Sequence, residues 1–174
     1  AISNKYSLEA MQEFYDGIFT ACKMYNVDLI GGDTTSSPKG MVISITAIGQ
    51  ARANKVVFRN GAKKGDIICV TGDLGASYLG LQILEREKQV YLAHPGVQPE
   101  LDKSQYLIER QLKPEAQRGA IEFFSREGVV PTSMIDISDG LASELLHICQ
   151  QSGTGAYIEE GKVPIHPDTE RTAL

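Results

Sequence analysis

Residues 134–141, MIDISDGL, bring two carboxylates and a hydroxyl close together in the chain. Apolar and polar residues alternate here, so Asp136 and Ser138 point to the same side of an extended chain. Asp139 follows where a strand gives way to a helix, and α/β proteins usually bind ligands at that end of a strand. A helix N-cap would explain Ser138 or Asp139. It would not explain Asp136 on a buried strand, because a buried carboxylate needs a partner or a metal ion. We therefore favour a cation site.

A second segment, residues 29–37 with the sequence LIGGDTTSS, delivers Asp33 after a pair of glycines and before four hydroxyls. Glycine lets the backbone approach a ligand closely. A carboxylate beside hydroxyls and bare amides suits a hard cation that bridges phosphate oxygens. Taken alone, however, the segment is better explained by a plain turn whose Asp and Ser make local hydrogen bonds.

Two more segments could bind anions, although simpler explanations fit each one alone. In residues 57–65, VFRNGAKKG, Arg59 could hold a phosphate through two hydrogen bonds, but solvated surface arginines are common. Residues 70–77, VTGDLGAS, join a strand to a helix N-terminus, which can bind an anion. They complete neither of the standard glycine-rich nucleotide motifs, so a connector is the better interpretation.

The elements that position these segments alternate between helices and strands. Apolar periodicity predicts helices over 8–25, 76–84, 103–111, from Pro114 to Gly128, and 141–149. Strands are expected at 27–30, 41–49, 66–71, 133–137 and 154–158, with a loop over 88–101. This order predicts mixed α/β layers, and the polar stretch 54–65 suggests a domain boundary.

Composition excludes several classes of protein. The chain has 174 residues, is 42% hydrophobic and carries a net charge of −5, which allows one domain or two small ones. Its overall field does not attract nucleic acid or anionic membranes, and no apolar run reaches the length of a membrane span. The three cysteines are scattered and odd in number, which argues against a disulfide framework or a zinc site. We expect core cysteines and a reducing cytoplasm.

Together, four of these segments resemble the thiamine-monophosphate kinase family. The matching stretches are residues 28–34 (DLIGGDT), 58–66 (FRNGAKKGD), 70–75 (VTGDLG) and 135–141 (IDISDGL). They follow the family's order and span the chain. The last is the most specific, because related aminoimidazole ribonucleotide synthetases, selenophosphate synthetases and hydrogenase-maturation proteins share a glycine pair but lack that stretch.

The resemblance implies a two-domain α/β (α+β) fold like that of aminoimidazole ribonucleotide synthetase. Residues 1–53 would be the C-terminal part of an ATP-binding, dimerising N-terminal domain, and residues 54–174 most of a mixed-sheet C-terminal domain. Gly32 and Asp33 would contact the nucleotide, and Arg59 its phosphates. Ser138 would also contact ATP. Asp33, Asp136 and Asp139 would bind Mg²⁺.

The implied activity is phosphorylation of thiamine monophosphate to thiamine diphosphate by ATP, in a homodimer. The family normally begins with an Asp-Asp-Ala segment that this chain does not contain, and the chain stops soon after Pro164, before the part that holds the thiamine ring in the family. The resemblance therefore covers about half of a full-length enzyme, and we expect the chain alone to be inactive. Two alternatives stay open: another ATP-dependent member of the superfamily, or a non-catalytic module that dimerises or binds nucleotide.

Overall fold

The computed structural model describes residues 1–173, and the chain divides into two compact units. The first is Ala1–Arg52, and the second begins at Ala53. Six α-helices lie within the described residues: α1 (Leu8–Tyr25), α2 (Ala76–Ala93), α3 (Gln105–Leu112), α4 (Arg118–Glu127), α5 (Leu141–Ser152) and α6 (Pro167–Ala173). Short 3₁₀ turns occupy Ala53–Lys55, Asp102–Ser104 and Glu160–Lys162. None of the described helices is long and apolar enough to cross a bilayer.

No strand ladder is present within residues 1–173. The only bridge described there is a parallel one between Ile2 and Ser36 in the first unit. In the second unit, the N–H of Met134 donates to the carbonyl of Phe58 at 3.0 Å, so the expected strand at 133–137 meets the predicted boundary stretch 54–65 through a backbone bond. The mixed sheet therefore stays a prediction, and the described secondary structure is helical.

The first unit is built on α1, whose bounds confirm the predicted helix over 8–25. Ser7 caps the helix, because its side chain accepts a hydrogen bond from the N–H of Ala10 at 3.2 Å. The helix ends at Asn26, which adopts a left-handed conformation with φ of 53°. Apolar periodicity alone predicted this helix, and the caps at its two ends account for where it begins and stops.

The core of the second unit lies where α2 crosses α3. Ala76, Ile83, Leu107 and Ile108 are buried there. The helices approach closely at Gly80, where an added Cβ would lie 2.1 Å from the carbonyl oxygen of Leu107. A larger residue at that position would force the two helices apart.

A polar cluster, called here the Asp73 joint, fastens residues 72–75 to α3. The hydroxyl of Tyr106 donates to the carboxylate of Asp73, and Arg110 donates to the carbonyl of Asp73 at 3.2 Å. The ring of His166, just before α6, stacks on that of Tyr106 with a centroid separation of 3.8 Å. The carbonyl of Pro164 accepts from the N–H of Leu74 at 2.9 Å. The segment predicted to be a connector thus ties α2, α3 and the approach to α6 together.

Three local predictions were wrong. Helix α2 continues to Ala93, because residues 81–94 contain no glycine or proline, so residues 88–93 are not loop. Pro114 does not open the next helix, which starts four residues later at Arg118. Cys69 is exposed and not a core residue, whereas Cys22 and Cys149 are half-buried.

The crossing at Gly80 predicts opposite effects for two glycine-to-alanine substitutions. We expect Gly80→Ala to lower the free energy of unfolding by about 1–3 kcal/mol, because its Cβ overlaps the backbone of Leu107. Gly119 in α4 has open space around it, so Gly119→Ala should raise stability by about 0.4–1 kcal/mol. Urea denaturation measures both values. Equal effects of the two substitutions would contradict the close crossing.

Candidate phosphate- and cation-binding site

Asp136 and Ser138 lie side by side before the start of α5. The Ser138 hydroxyl donates to Asp136 Oδ2 at 2.6 Å, which confirms that the two side chains face the same way. The side chain of Asp136 is 75% exposed, so its predicted burial on a strand is wrong. The reason is that no strand ladder covers this segment within residues 53–173. The carboxylate is open to solvent, where a ligand can reach it.

The pKa of Asp136 is held below its ordinary value. The hydrogen bond from Ser138 is the largest cause, and the backbone N–H of Asp136 itself adds to it. The Arg59 guanidinium lowers the pKa further by a smaller amount. Each of these favours the ionised carboxylate. Asp136 is therefore negatively charged at neutral pH and ready to bind a cation.

Arg59 is placed beside Asp136 by its own backbone. The Arg59 carbonyl accepts from the hydroxyls of Ser133 at 2.7 Å and Ser152 at 3.4 Å. Its guanidinium lies 3.9 Å from Asp136 Oδ1 and its side chain is 51% exposed. An exposed ion pair at this distance is weak. The guanidinium is thus held near the carboxylate while its donors stay accessible to a phosphate.

Residues that sequence reasoning missed fix the turn after Arg59. Ser152, at the end of α5, accepts from the N–H groups of Gly61 at 3.1 Å and Ala62 at 3.2 Å. Gly61 has φ of 134°, and an added Cβ would lie 2.4 Å from the carbonyl oxygen of Thr132, so only glycine fits. The only sequence signal was the glycine itself, because the partner at position 152 is 91 residues away.

Asp66 and Thr132 strengthen the same turn. The Thr132 hydroxyl donates to Asp66 Oδ2 at 2.6 Å, and the N–H of Lys63 donates to the same oxygen at 2.8 Å. These two hydrogen bonds lower the pKa of Asp66, with the Thr132 contact as the larger cause. The carboxylate of Asp66 therefore accepts hydrogen bonds that stabilise this turn. The sequence analysis had placed this position in a strand and at the end of the family-like stretch 58–66, without a role for its carboxylate.

Asp139 occupies the bend between the Asp136 segment and α5. It is exposed, and its backbone N–H donates to Oε1 of Glu144 at 3.4 Å. The next residue, Gly140, has φ of 115° and forms the N-terminal boundary of α5. The second unit thus brings four of the predicted site residues into one region: Arg59, Asp136, Ser138 and Asp139.

Gly32 and Asp33 belong to the first unit. Asp33 is exposed, and its Oδ1 accepts from the N–H of Thr34 at 2.8 Å, as in the plain turn that the sequence left open. Gly31 and Gly32 have neither a positive φ nor any atom within 4 Å of an added Cβ. The turn itself therefore does not require glycine at either position, whereas close approach of a ligand would.

The oxygen donors of the second unit fit Mg²⁺ bound together with phosphate. Mg²⁺ is usually held by one or two carboxylates plus substrate phosphates and water. Asp136 and Asp139 supply two carboxylates, and the first is kept ionised. Within residues 53–173, no group of three His, Cys, Asp or Glu side chains is arranged to hold a metal ion. These donors are therefore better suited to a cation that binds together with a nucleotide than to a cation held by protein ligands alone.

Two family models match the chain. The first is AIR synthase related protein, N-terminal domain, over residues 1–51, and the second is AIR synthase related protein, C-terminal domain, over residues 63–171. No solved structure matches significantly.

Several curated relatives are thiamine-monophosphate kinases. The chain is 33% identical to the Bacillus subtilis protein over 171 residues, covering 97% of this chain and 49% of the relative. It is 36% identical to the Escherichia coli K12 protein, covering 88% and 43%, and 34% identical to the Aquifex aeolicus protein, covering 89% and 46%.

The chain spans about half the length of the curated relatives it matches. The second domain model alone covers more than half of the chain, in the unit that holds Arg59, Asp136, Ser138 and Asp139. The chain therefore belongs to the AIR synthase related protein family.

Proposed function

We propose that the chain is part of an enzyme that transfers the γ-phosphate of ATP to thiamine monophosphate, giving thiamine diphosphate. The observation that carries the proposal is the grouping of an ionised, exposed Asp136 with Ser138 and the Arg59 guanidinium. The names of the curated relatives supply the acceptor, thiamine monophosphate.

The central difficulty of this reaction is repulsion between two phosphate anions. Asp136 and Asp139 would hold Mg²⁺, and the Arg59 guanidinium, 3.9 Å from Asp136 Oδ1, would donate to phosphate oxygens. Ser138 would contact the nucleotide, and its hydroxyl also lowers the pKa of Asp136. Bound Mg²⁺ neutralises developing charge and aligns the oxygens. Clustered carboxylates therefore serve this chemistry better than a lysine-rich loop.

Gly32 and Asp33 take corresponding roles in the first unit. We assign the bare backbone at Gly32 to the nucleotide, and the exposed Asp33 carboxylate to both nucleotide and Mg²⁺. The support is the resemblance of residues 28–34 to the kinase family and the absence of any steric need for Gly32 within the described part of this unit.

Transfer is direct and needs no general base. The second pKa of a phosphate monoester is about 6, so the acceptor oxygen is largely ionised at neutral pH. The oxygens have only to be brought in line, which the residues above achieve by binding and orientation. A phosphorylated protein intermediate, detected by mass spectrometry after mixing with ATP, would rule this out.

A homodimer in the cytoplasm completes the proposal. Apolar residues of the segment 42–48 are exposed in the first unit, including Val42, Ile45 and Ile48, and such surfaces often mark protein contacts. Sedimentation should show a dimer that Ile45→Lys weakens; a wild-type monomer at high concentration would contradict this.

The free cysteines fit a reducing compartment, and recovery of the protein from an envelope fraction would contradict a cytoplasmic location.

The activity is best tested in a chimaera. The 171-residue stretch of the Bacillus subtilis relative that matches this chain would be replaced by the chain itself. We expect ADP release that depends on both Mg²⁺ and thiamine monophosphate. Asp136→Asn should reduce the rate on the order of 100-fold or more, because a cation ligand is lost.

The matched control for this substitution is Asp102→Asn, which removes the same charge from an exposed turn of the same unit. It should leave the rate unchanged. ADP release that is indifferent to thiamine monophosphate but responds to another acceptor would assign the chain to a different activity of the superfamily. Folded chimaera without Mg²⁺-dependent nucleotide binding would favour the non-catalytic module.

The hydrogen bond from Ser138 predicts a change in titration. Ser138→Ala should raise the pKa of Asp136 toward its ordinary value, because the largest contribution that favours the ionised form is removed. The lowered pKa stabilises the wild-type fold above the ordinary pKa of aspartate, and that contribution is lost as pH falls through the folded-state value. Carboxyl carbon NMR measures the titration, with Ser77→Ala as the control. An unchanged Asp136 curve in Ser138→Ala would contradict the assignment.

A further inference from the structure

The hydroxyl of Ser152 contacts the backbone around Arg59 through every hydrogen bond that it can make. It donates to the carbonyl oxygen of Arg59 at 3.4 Å, and it accepts from the N–H groups of Gly61 at 3.1 Å and Ala62 at 3.2 Å. A hydroxyl group has one donor and two acceptor lone pairs. All three are therefore used on the turn that carries the Arg59 side chain.

Helix α5 does not need this hydroxyl for its own end. The helix is followed by Gly153, which has φ of 63° and whose N–H donates to the carbonyl of Cys149. Serine is a poorer helix former than alanine, so helix propensity gives no reason for Ser152 as the last helical residue. The reason for a serine at this position lies in its contacts with residues 59–62.

The chain is also held on both sides of this turn by contacts that do not involve Ser152. Before Arg59, the N–H of Met134 donates to the carbonyl of Phe58 at 3.0 Å. After Ala62, the carboxylate of Asp66 accepts from the next backbone N–H at 2.8 Å. Ser152 acts between these two points. It therefore fixes the backbone from which the Arg59 side chain extends.

We propose that Ser152 is a positioning residue for Arg59. Its hydroxyl and that of Ser133, which donates to the same carbonyl at 2.7 Å, hold the Arg59 backbone so that the guanidinium can donate to the phosphates of the nucleotide. A guanidinium binds phosphate through two parallel hydrogen bonds, which require a defined direction of approach. This inference rests on the function proposed above and adds a residue to the same site.

The surroundings of the guanidinium explain why its backbone matters. The Arg59 side chain is 51% exposed, and its ion pair with Asp136 spans 3.9 Å between Nη2 and Oδ1. An exposed pair at this distance holds a side chain weakly. The direction of the guanidinium therefore depends on how firmly the backbone of Arg59 is fixed.

Three substitutions separate positioning from a general effect on the fold. Ser152→Ala removes the hydroxyl, and Ser152→Thr keeps it. The matched control is Ser125→Ala, at an exposed position near the end of α4 in the same unit. All variants are made in the 174-residue chain, and circular dichroism checks that each one folds. If Ser152→Ala does not fold, Ser152→Cys replaces it, because a thiol is a weak donor and a weak acceptor.

The first measurement is hydrogen exchange of the Gly61 and Ala62 amides in the chain without nucleotide. Ser152→Ala should speed their exchange several-fold, because both amides lose their acceptor. Ser152→Thr and Ser125→Ala should leave the exchange close to that of the wild type. Unchanged exchange in Ser152→Ala would overturn the contact on which the proposal depends.

The second measurement is calorimetric titration with ATP in the presence of Mg²⁺. Ser152→Ala should weaken ATP binding about 3–10-fold, because a displaced guanidinium loses part of a charge-assisted contact. Ser152→Thr should bind as the wild type does. In an Arg59→Ala background, Ser152→Ala should have no further effect, since the side chain that it positions is gone. An equal loss in both backgrounds would show a merely structural role and overturn the proposal.

Failure of the proposed function would give a different result. If the wild-type chain binds ATP and Ser152→Ala binds it equally well, the proposed function stands and only the positioning role is overturned. If the wild-type chain does not bind ATP with Mg²⁺, the proposed function and the role toward phosphate are overturned together. The exchange measurement would then still decide whether Ser152 holds the turn.

Discussion

The site depends on the pairing of two segments that are about 75 residues apart in sequence. Ser133 and Met134 bind the backbone of Phe58 and Arg59, and Ser152 closes the turn behind them. In the segment of Phe58 and Arg59, these contacts use only backbone groups. They therefore fix the path of the backbone without using the side chains of this segment. Because of this pairing, the Arg59 guanidinium lies beside the carboxylate of Asp136. Without this pairing, the Arg59 guanidinium and the Asp136 carboxylate would not lie next to each other.

Local hydrogen bonds also set the charge of the site. Burial would raise the pKa of Asp136, but this carboxylate is exposed, and the Ser138 hydroxyl and the local backbone lower its pKa. An exposed carboxylate kept ionised by hydrogen bonds can bind a cation without a large desolvation cost. Glu144 in α5 is the opposite case, a buried carboxylate with one unpaired oxygen.

Local signals in the sequence predicted the helices well and the surroundings of the site poorly. The apolar stripe located α1, and Gly128 marked the end of α4. The helix start predicted at Pro114 was wrong, since proline is tolerated in an irregular segment as well as at a helix start. The shared orientation of Asp136 and Ser138 followed from strand alternation, but the burial of Asp136 did not, because alternation does not say which face is covered. Partners such as Ser152 for Gly61 depend on long-range folding and leave no local pattern.

The central claim is that Asp136 and Asp139 hold a divalent cation against the phosphates of a nucleotide. The most direct measurement is the NMR spectrum of the 174-residue chain with ATP, with paramagnetic Mn²⁺ in place of Mg²⁺. Amide signals of Asp136, Ser138 and Asp139 should broaden first within the second unit as Mn²⁺ is added. Sharp signals at these three residues while others, such as those around Asp73, broaden would contradict the claim.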